Sequence, residues 1–431
     1  MKGKGRTRLI EWGKSLLIVL LAISAAYLLG RTQFSEDVVS EVKGLLDRNS
    51  SSNSEELNTQ TAPAVIHPMH IAINLDGGQR YGVQYDQKGT DAVFSSVSTL
   101  LSEALSSADT PRRITEQSWR TKLTGAGIYM DFYYPVSLNV LSEQLGEGQG
   151  NPALSGKARR ICLAADQNDG VSLLYINEAD GLAYSSVTTL SRTIHLDPVL
   201  EGQSPNGALF AFEVPGMEHT APYMLLTSTP KPVVYQSGNP LLNDTARIEE
   251  LLHTLSFQSR GAQLDPAAGG PLVEGNDSLR LFETGLLTFH TIGDSDFRFL
   301  LPEQTLQSAL EYTQKLANAT VGVWCGGANL CLAGVEETGN GTEILFQYCL
   351  NGIPVELPEG NVAARFLVYN GALTDFFLYF RAYTATEETT LILPELQAAA
   401  IMDAAAGQGD ELTLLYRDMG GESVSAGWVA N

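Results

Sequence analysis

The sequence has little cysteine, only four residues in 431: Cys162, Cys325, Cys331 and Cys349. This number is too small for a fold built on disulfides, and a chain of this length can bury a hydrophobic core without them. Two readings remain open for the stretch "CGGANLC". Either a disulfide between Cys325 and Cys331 closes a small loop, or both are small buried residues in strands. No Cys/His spacing typical of zinc sites occurs.

Basic residues are also few, 27 Lys and Arg against 49 Asp and Glu, and the net charge is −22. A nucleic-acid-binding protein normally carries a basic surface, so this composition argues against a nucleic-acid partner. Net charge of this size relates to solubility rather than to a particular site.

Motifs that identify catalytic or cofactor sites are missing. There is no GxSxG elbow, because Ser204 in "EGQSPNG" lacks the spacing, and no Walker or GxGxxG loop. The histidines are scattered; His67 and His70 stand on either side of Pro68, which excludes the helical geometry of a zincin. We therefore predict no catalytic, cofactor-binding or metal-binding residues and no enzyme, although pairs formed by residues distant in sequence stay open.

Long apolar runs are missing too, with one exception near the N-terminus. Residues 15–30 carry no charge, and a bilayer crossing requires about 20 apolar residues, with about 17 as the lower limit. Lys14 and Arg31 can extend the run by placing their charges at the headgroups. The alternative is a signal peptide cut after Ala26, but that would leave a short apolar region, 16–23. We predict a retained transmembrane helix over 15–31.

The orientation of this helix follows from its flanks. Residues 1–14 contain five basic residues and one acidic residue, and basic flanks stay in the cytoplasm. We predict a single-pass protein of the cell membrane with a cytoplasmic tail, 1–14, and extracytoplasmic C-terminal domains. Ala22, Ala26 and Gly30 are spaced four apart, so they form one small-residue face on which another helix can pack closely.

The remainder alternates between strand and helix patterns, with a hairpin predicted around Asp76-Gly77-Gly78 and helix N-caps predicted at Thr90 or Asp91 and at Thr115. Residues 32–64 contain a short helix and then a polar, flexible tether. Three α+β units are predicted at 65–150, 157–291 and 292–431, with the glycine-rich stretch 146–156 as the first boundary. In the last two units several antiparallel strands are followed by a helix and a closing hairpin, a repeat of element order with helices packed on one face of each sheet.

Several stretches resemble the YycH/YycI family of Gram-positive bacteria: "YGVQYD", "LLSEALSSADTPRRITEQSWRTKLTGAGIYMDF", "IEELLHTLSF…LRLFETGLLTFHT", "YCLNGIPV", "ARFLVYNGALTDFFLYFRAY", "LPELQAAAI", "LTLLYRD" and "GWVA". The resemblance extends over nearly the whole chain and consists of the order of the elements and of short, scattered stretches of sequence. It implies a membrane-tethered regulator of a WalK-type sensor histidine kinase that controls cell-wall metabolism, with no catalytic centre. The implied partners are the kinase's transmembrane and extracytoplasmic regions, and a second protein related to YycH or YycI.

The resulting hypothesis is a regulatory protein that biases a two-component sensor kinase through protein–protein and transmembrane helix contacts. Two alternatives stand beside it. One is an extracytoplasmic module that binds a cell-wall fragment in a pocket between units. The other is a hydrolase assembled from distant residues in a deep cleft.

Overall fold

The computed structural model describes residues 66–146, 150–258, 264–266, 270–293, 297–405 and 411–430. The predicted transmembrane helix at 15–31, with Ala22, Ala26 and Gly30, lies outside these residues, as does the predicted tether. Within the described ranges, every helix is too short or too polar to cross a bilayer.

A seven-stranded antiparallel sheet forms the first layer of the fold. The predicted hairpin at its start is confirmed, because β1 and β2 pair across a turn in which Gly77 and Gly78 have positive φ angles. The spatial order is β2-β1-β4-β5-β6-β7-β3. The strands are β1 (Pro68–Asn74), β2 (Arg80–Val83), β3 (Arg112–Arg113), β4 (Gly127–Ser137), β5 (Lys157–Ala165), β6 (Gly170–Asn177) and β7 (Leu182–Ser191).

Helices cover both faces of this sheet. Successive side chains of a strand point to opposite faces, and here both faces carry apolar side chains. Ile71 and Ile73 on β1 belong to the core beneath α1 (Gln87–Ser107), while Ala72 between them belongs to a second core with Trp119. Trp119 lies on α2 (Glu116–Thr124), on the opposite face. A third helix, α3 (Leu138–Leu145), contacts α1.

Capping predictions had mixed outcomes. Thr115 caps α2 as expected, since its hydroxyl accepts a hydrogen bond from the backbone N–H of Ser118 at 3.1 Å. The predicted cap of α1 at Thr90 or Asp91 is wrong, because the helix already begins at Gln87. Thr90 is instead buried on the inner face of the helix.

The first sheet crosses the predicted boundary between 150 and 157. Strand β5 pairs with β4, and β6 and β7 extend the same sheet as far as Ser191. The glycines of 146–156 do interrupt regular structure, but composition marks a loop and not the strand partners on its two sides. Strands on both sides of this loop therefore share one sheet, and the division into three units remains a prediction.

A connecting segment leads to the second sheet. It contains a short helix α4 (Asp197–Glu201) and a small hairpin of β8 (Leu209–Phe210) and β9 (Leu225–Leu226). Phe210 packs on Tyr129 of β4 with ring centroids 5.1 Å apart. The hairpin therefore covers the α2 face of the first sheet.

The second sheet has thirteen strands and is antiparallel except between β17 and β21. Its main order is β11-β12-β13-β19-β18-β16-β17-β21-β22-β10-β20, with β14 on β19 and β15 on β16. The predicted boundary at 291/292 also falls within it, because β13 pairs with β19. The strands are β10 (Val233–Gly238), β11 (Leu272–Glu274), β12 (Asp277–Leu281), β13 (Leu286–Thr291), β14 (Phe299–Leu300), β15 (Asn329–Thr338), β16 (Gly341–Leu350), β17 (Ile353–Glu356), β18 (Ala364–Tyr369), β19 (Ala372–Tyr379), β20 (Ala382–Thr389), β21 (Leu412–Arg417) and β22 (Ser423–Ala430).

Three helices accompany this sheet: α5 (Thr245–Thr254), α6 (Leu306–Ala317) and α7 (Glu395–Ala405). Helix α6 contacts β16 and β18 and buries Leu310 and Thr313, and α7 contacts β21. One core runs through both sheets, which makes them neighbouring layers. Sheets with separate helices packed on them confirm the predicted α+β class.

Candidate functional site

A cleft of about 1080 Å³ lies between the two sheets. Strand β2 and the first residues of β1 and α1 form one wall, together with Tyr133 of β4. The start of β15, the end of α6 and the turn at Asn351 form the opposite wall. A cleft between two layers is a common location for a binding site, and this one is at the upper end of the usual size.

Tyrosine and side-chain amides dominate the lining of the cleft. Six of its 38 residues are tyrosine, against 16 in the 431 residues of the chain, and seven more are Asn or Gln. The charged lining residues are two acids, Asp86 and Asp91, and two bases, Lys88 and Lys231. The cleft is therefore aromatic and polar without net charge when His67 is neutral, although the chain as a whole is strongly acidic.

Asn206 closes the outer edge of β2 where that strand borders the cleft. Its side chain accepts from the N–H of Gly82 at 2.9 Å and donates to the carbonyl of Gly82 at 2.7 Å. The backbone N–H of Asn206 also donates to the carbonyl of Arg80 at 3.0 Å. These bonds occupy the outward backbone groups that would otherwise pair with a further strand.

His67 and Asp91 bring together an imidazole and a carboxylate in the cleft. The Nδ1 of His67 is 3.4 Å from Oδ1 of Asp91, and the ring lies 5.1 Å from Phe94. Burial lowers the pKa of His67, and the charge of Asp91 only partly offsets this. Neither ring nitrogen has a hydrogen-bond partner among the described residues, so no hydroxyl or thiol is placed for activation by this histidine.

A charged junction, made of Asp131, Arg159, Arg160 and Glu411, joins the two sheets. Arg159 on β5 binds Glu411 through both arms of its guanidinium, at 2.9 Å and 2.8 Å. Arg160 reaches the same carboxylate at 3.0 Å. Asp131 on β4 accepts from Arg159 at 2.6 Å and from Arg160 at 3.3 Å. Two cations and two anions thus balance each other at the boundary.

The pKa of Asp131 reflects this balance. Burial disfavours its charged form, but the charges of Arg159 and Arg160 outweigh burial and lower the pKa of the carboxyl below its usual value. His70, beside this junction, has a lowered pKa because burial disfavours its cation more than Asp131 and Glu411 favour it. The junction is therefore arranged to favour the ionised form of Asp131 and the neutral form of His70.

Glu395 forms a second polar link between the layers. This residue begins α7 and is buried, and its carboxylate accepts from Gln84 Nε2 and from the N–H of Thr227, both at 2.6 Å. Burial raises its pKa to about 7, against the lowering effect of these hydrogen bonds. Gln84 follows β2, so Glu395 connects the cleft wall to the second sheet.

An aromatic contact runs beside this link. The ring of Tyr85 lies edge-on to His70 at 5.5 Å and to Trp428 of β22 at 5.8 Å. Tyr85 has a φ of 57°, in the left-handed region that a bulky side chain rarely adopts. It holds that conformation while buried, because the packing of both layers surrounds it.

The cysteines are free thiols in the described structure. Cys325 is buried, and its Sγ donates to the carbonyls of Gly322 and Ala328. Cys331, half-buried on β15, hydrogen-bonds through its side chain with Cys349 of β16. Cys162, Cys325 and Cys349 are buried, and Cys325 precedes β15 instead of lying within a strand. Cys325 and Cys331 both line the cleft.

Two further histidines, His290 and His253, lie on the second sheet and on a helix beside it. His290 on β13 has an acidic partner across the sheet, Asp375 of β19, with Nδ1 2.5 Å from Oδ1. His253 is exposed on α5. In the part of the chain that is described, no three His, Cys, Asp or Glu residues cluster as a metal site would require.

Sequence reasoning offered a pocket between units as an alternative but did not identify its residues, and it missed Asn206, Glu395 and the charged junction, because each joins residues more than a hundred positions apart. The one signal available for the junction was the pair of adjacent arginines opening "RRICLAAD" on a strand with an otherwise apolar pattern. Charges placed within an apolar strand predict buried partners, although their identity cannot be read from the sequence.

Comparison with known proteins identifies the fold. No family profile and no curated protein sequence matches the chain. Among solved structures, the crystal structure of YycH from Bacillus subtilis is similar, with a TM-score of 0.56 and 11% sequence identity. The match covers 88% of this chain and 96% of that one. The chain therefore has a YycH-like fold, as its sequence resemblance predicted.

Proposed function

We propose that this chain is a membrane-anchored extracytoplasmic regulator of a two-component sensor histidine kinase involved in cell-wall homeostasis. The observation that carries the proposal is the likeness to YycH over almost the full length of both chains. A short likeness could reflect a common sheet motif, whereas this one includes both layers. The apolar run at 15–31 behind a basic tail supplies the anchor in this proposal.

Regulation by contact requires that the protein bind one signalling state of the kinase more tightly than the other. A difference of about 1.4 kcal/mol between the two states would change their ratio tenfold. The transmembrane helix is the proposed site of this difference, with Ala22, Ala26 and Gly30 as its packing face. Small residues matter there because, in lipid, close approach of two backbones replaces the hydrophobic effect as the source of helix pairing.

The test is to replace Ala22, Ala26 and Gly30 by Leu and to measure kinase output in intact cells at equal protein levels. We expect altered output, since leucine side chains would keep the partner helix away. Ser24→Leu is the matched control, because it adds the same side chain on the opposite face of the helix and should leave output unchanged. Unaltered output in the triple variant would remove this face from the proposal.

A second experiment addresses the partner and the anchor. A photo-crosslinking residue at Ala22 is expected to capture the kinase or a second YycH/YycI-type protein, and one at Ser24, on the opposite face of the helix, should capture less. Chemical sequencing of the mature N-terminus checks the anchor. A mature chain that begins at Tyr27 would show that the helix is removed, and helix contact would then be excluded.

The cleft favours a second candidate, a module that binds a cell-wall fragment. Its volume, its location between two layers and its polar lining without net charge are features of a ligand site. A thermal-shift screen with soluble wall fragments tests this candidate, because a ligand that binds only the folded state raises the unfolding temperature.

A further inference from the structure

Two half-exposed tyrosines present their rings to the cleft from the first sheet. Tyr81 lies on β2 and Tyr133 on β4, at a place where the pairing of β4 with β5 is interrupted between Asp131 and Val136. Neither hydroxyl hydrogen-bonds to another side chain or to the backbone within the described residues. A partly exposed tyrosine ring that lines a cleft can stack against a flat apolar surface of a ligand.

Free amides line the opposite wall. Asn329 begins β15 and Asn318 follows α6; both are exposed, and their side chains make no hydrogen bond to the described part of the protein. An amide offers two donors and an acceptor, which match neighbouring hydroxyl groups on a ligand. The arrangement provides aromatic surface on one side and neutral hydrogen-bonding groups on the other.

Charge and backbone geometry narrow the class of ligand. Asp86 and Asp91 are balanced by Lys88 and Lys231, so an ionic ligand gains no net attraction from the lining. An extended peptide would be expected to add to the edge of β2, yet Asn206 already occupies the outward N–H and carbonyl of Gly82. A neutral ligand that is apolar on its ring faces and rich in hydroxyls at its edges meets both conditions.

We propose that the cleft binds a short, uncharged oligosaccharide, with sugar rings stacked on Tyr81 and Tyr133 and their hydroxyl and amide groups hydrogen-bonded to Asn318 and Asn329. This inference rests on the ligand-binding candidate above and specifies its ligand class. The C–H groups on a sugar face supply the apolar contact with the tyrosine rings. The side-chain amides of Asn318 and Asn329 orient the sugar through hydrogen bonds, and because they are neutral, binding buries no unpaired charge.

The test uses the full-length protein in detergent micelles and N-acetylated chitotetraose as the probe. Saturation-transfer NMR and calorimetric titration should show binding with a Kd below about 1 mM. Tyr133→Ala should weaken it at least about tenfold, while Tyr133→Phe, which keeps the ring, should change it less than about threefold. Tyr184→Ala, on β7 and stacked on Tyr175 outside the cleft, is the matched control and should bind like the wild type.

A variant that preserves the buried core guards against loss of folding. Asn329→Ala removes only an exposed amide and should weaken binding severalfold with an unchanged unfolding temperature. Absence of binding at millimolar probe, or binding that neither Tyr133→Ala nor Asn329→Ala alters, overturns the inference. So does binding of an uncharged alanine–threonine octapeptide in place of the oligosaccharide.

Failure of the oligosaccharide inference can be distinguished from failure of either proposed function. If a peptide-bearing wall fragment stabilises the protein in the thermal-shift screen and chitotetraose does not bind, the ligand-binding candidate stands and the oligosaccharide fails. Kinase output is not measured in either assay, so loss of the regulatory proposal leaves the binding result unaffected.

Discussion

Arg159 and Glu411, 252 positions apart, form a two-armed ion pair that connects strand β5 of the first sheet to the residue preceding β21 of the second. The carboxylate of Glu411 is 12% exposed and also receives Arg160. Because Asp131 holds the same two arginines, removal of Glu411 would leave two guanidinium groups with one counter-charge at a largely buried boundary.

Glu411→Gln is therefore expected to lower the free energy of unfolding by about 2–4 kcal/mol, since a broken buried pair leaves an uncompensated charge. Chemical denaturation measures this change. Glu356→Gln is the control: its carboxylate pairs with Arg417 at 3.2 Å on the surface, and its loss should change stability by less than about 1 kcal/mol. Equal effects of the two substitutions would show that the junction contributes no more than a surface pair.

Glu395 predicts a pH dependence of stability. Its folded-state pKa of about 7 exceeds the ordinary value of 4.5, so the folded protein binds the proton more tightly than the unfolded chain does. Stability from this group is complete below about pH 4.5 and declines as the pH rises to about 7, by an amount on the order of 3 kcal/mol.

Glu395→Gln should remove that decline, and the difference in unfolding free energy between wild type and variant, measured from pH 5 to 8, checks it. Asp403→Asn is the control with the opposite sign. The carboxylate of Asp403 accepts from the N–H groups of His219 and Thr220, and these bonds lower its pKa despite some burial. The stability that the Asp403 carboxylate contributes is lost only in acid. Asp403→Asn should therefore show the same pH dependence of the unfolding free energy as the wild type between pH 5 and 8.

Asn206 predicts a local effect at the edge of β2. Asn206→Ala leaves the N–H and carbonyl of Gly82 without their protein partners and should reduce stability by about 1–3 kcal/mol. Hydrogen exchange of the Gly82 amide should accelerate in this variant. Asn340→Ala, in the exposed β15–β16 turn, should leave that amide unchanged. Unaltered exchange at Gly82 would show that water replaces the asparagine without penalty.

The His290–Asp375 pair predicts a titration. The hydrogen bond that the His290 ring donates to the Asp375 carboxylate raises the pKa of His290 above its ordinary value, with burial opposing it. The stabilisation is present below about pH 6.5 and is lost as the pH rises through the raised value. NMR titration of the His290 ring should show the pKa falling in Asp375→Asn. Since both side chains are exposed, the change in stability should stay below about 1 kcal/mol.

Local features of the fold were predictable where neighbours in sequence decide them. Thr115 caps α2 because its hydroxyl reaches an N–H three residues later, and Gly77 and Gly78 turn the first hairpin because they tolerate positive φ. Strand pairing was not predictable in the same way. The strand β5 binds β4 across a glycine-rich loop that, by composition, predicted a boundary.

The candidate site was least predictable. The residues around the cleft come from at least six separate segments between Ile66 and Tyr416, and nothing in the spacing of Tyr81, Asn206 and Asn329 distinguishes them from core or loop residues. Neither sheet forms the cleft alone, and the residues that line it depend on which faces the two layers present to each other.

By itself, the sequence determined the α+β class and most of the helices and strands, because helix and strand periodicity, caps and turns depend on residues only a few positions apart. The tertiary structure decided which strands share a sheet, which charges meet at Arg159 and Glu411, and where the cleft lies. These features arise from contacts between distant segments, and their free energy depends on the burial and hydrogen bonding that exist only once both layers have packed.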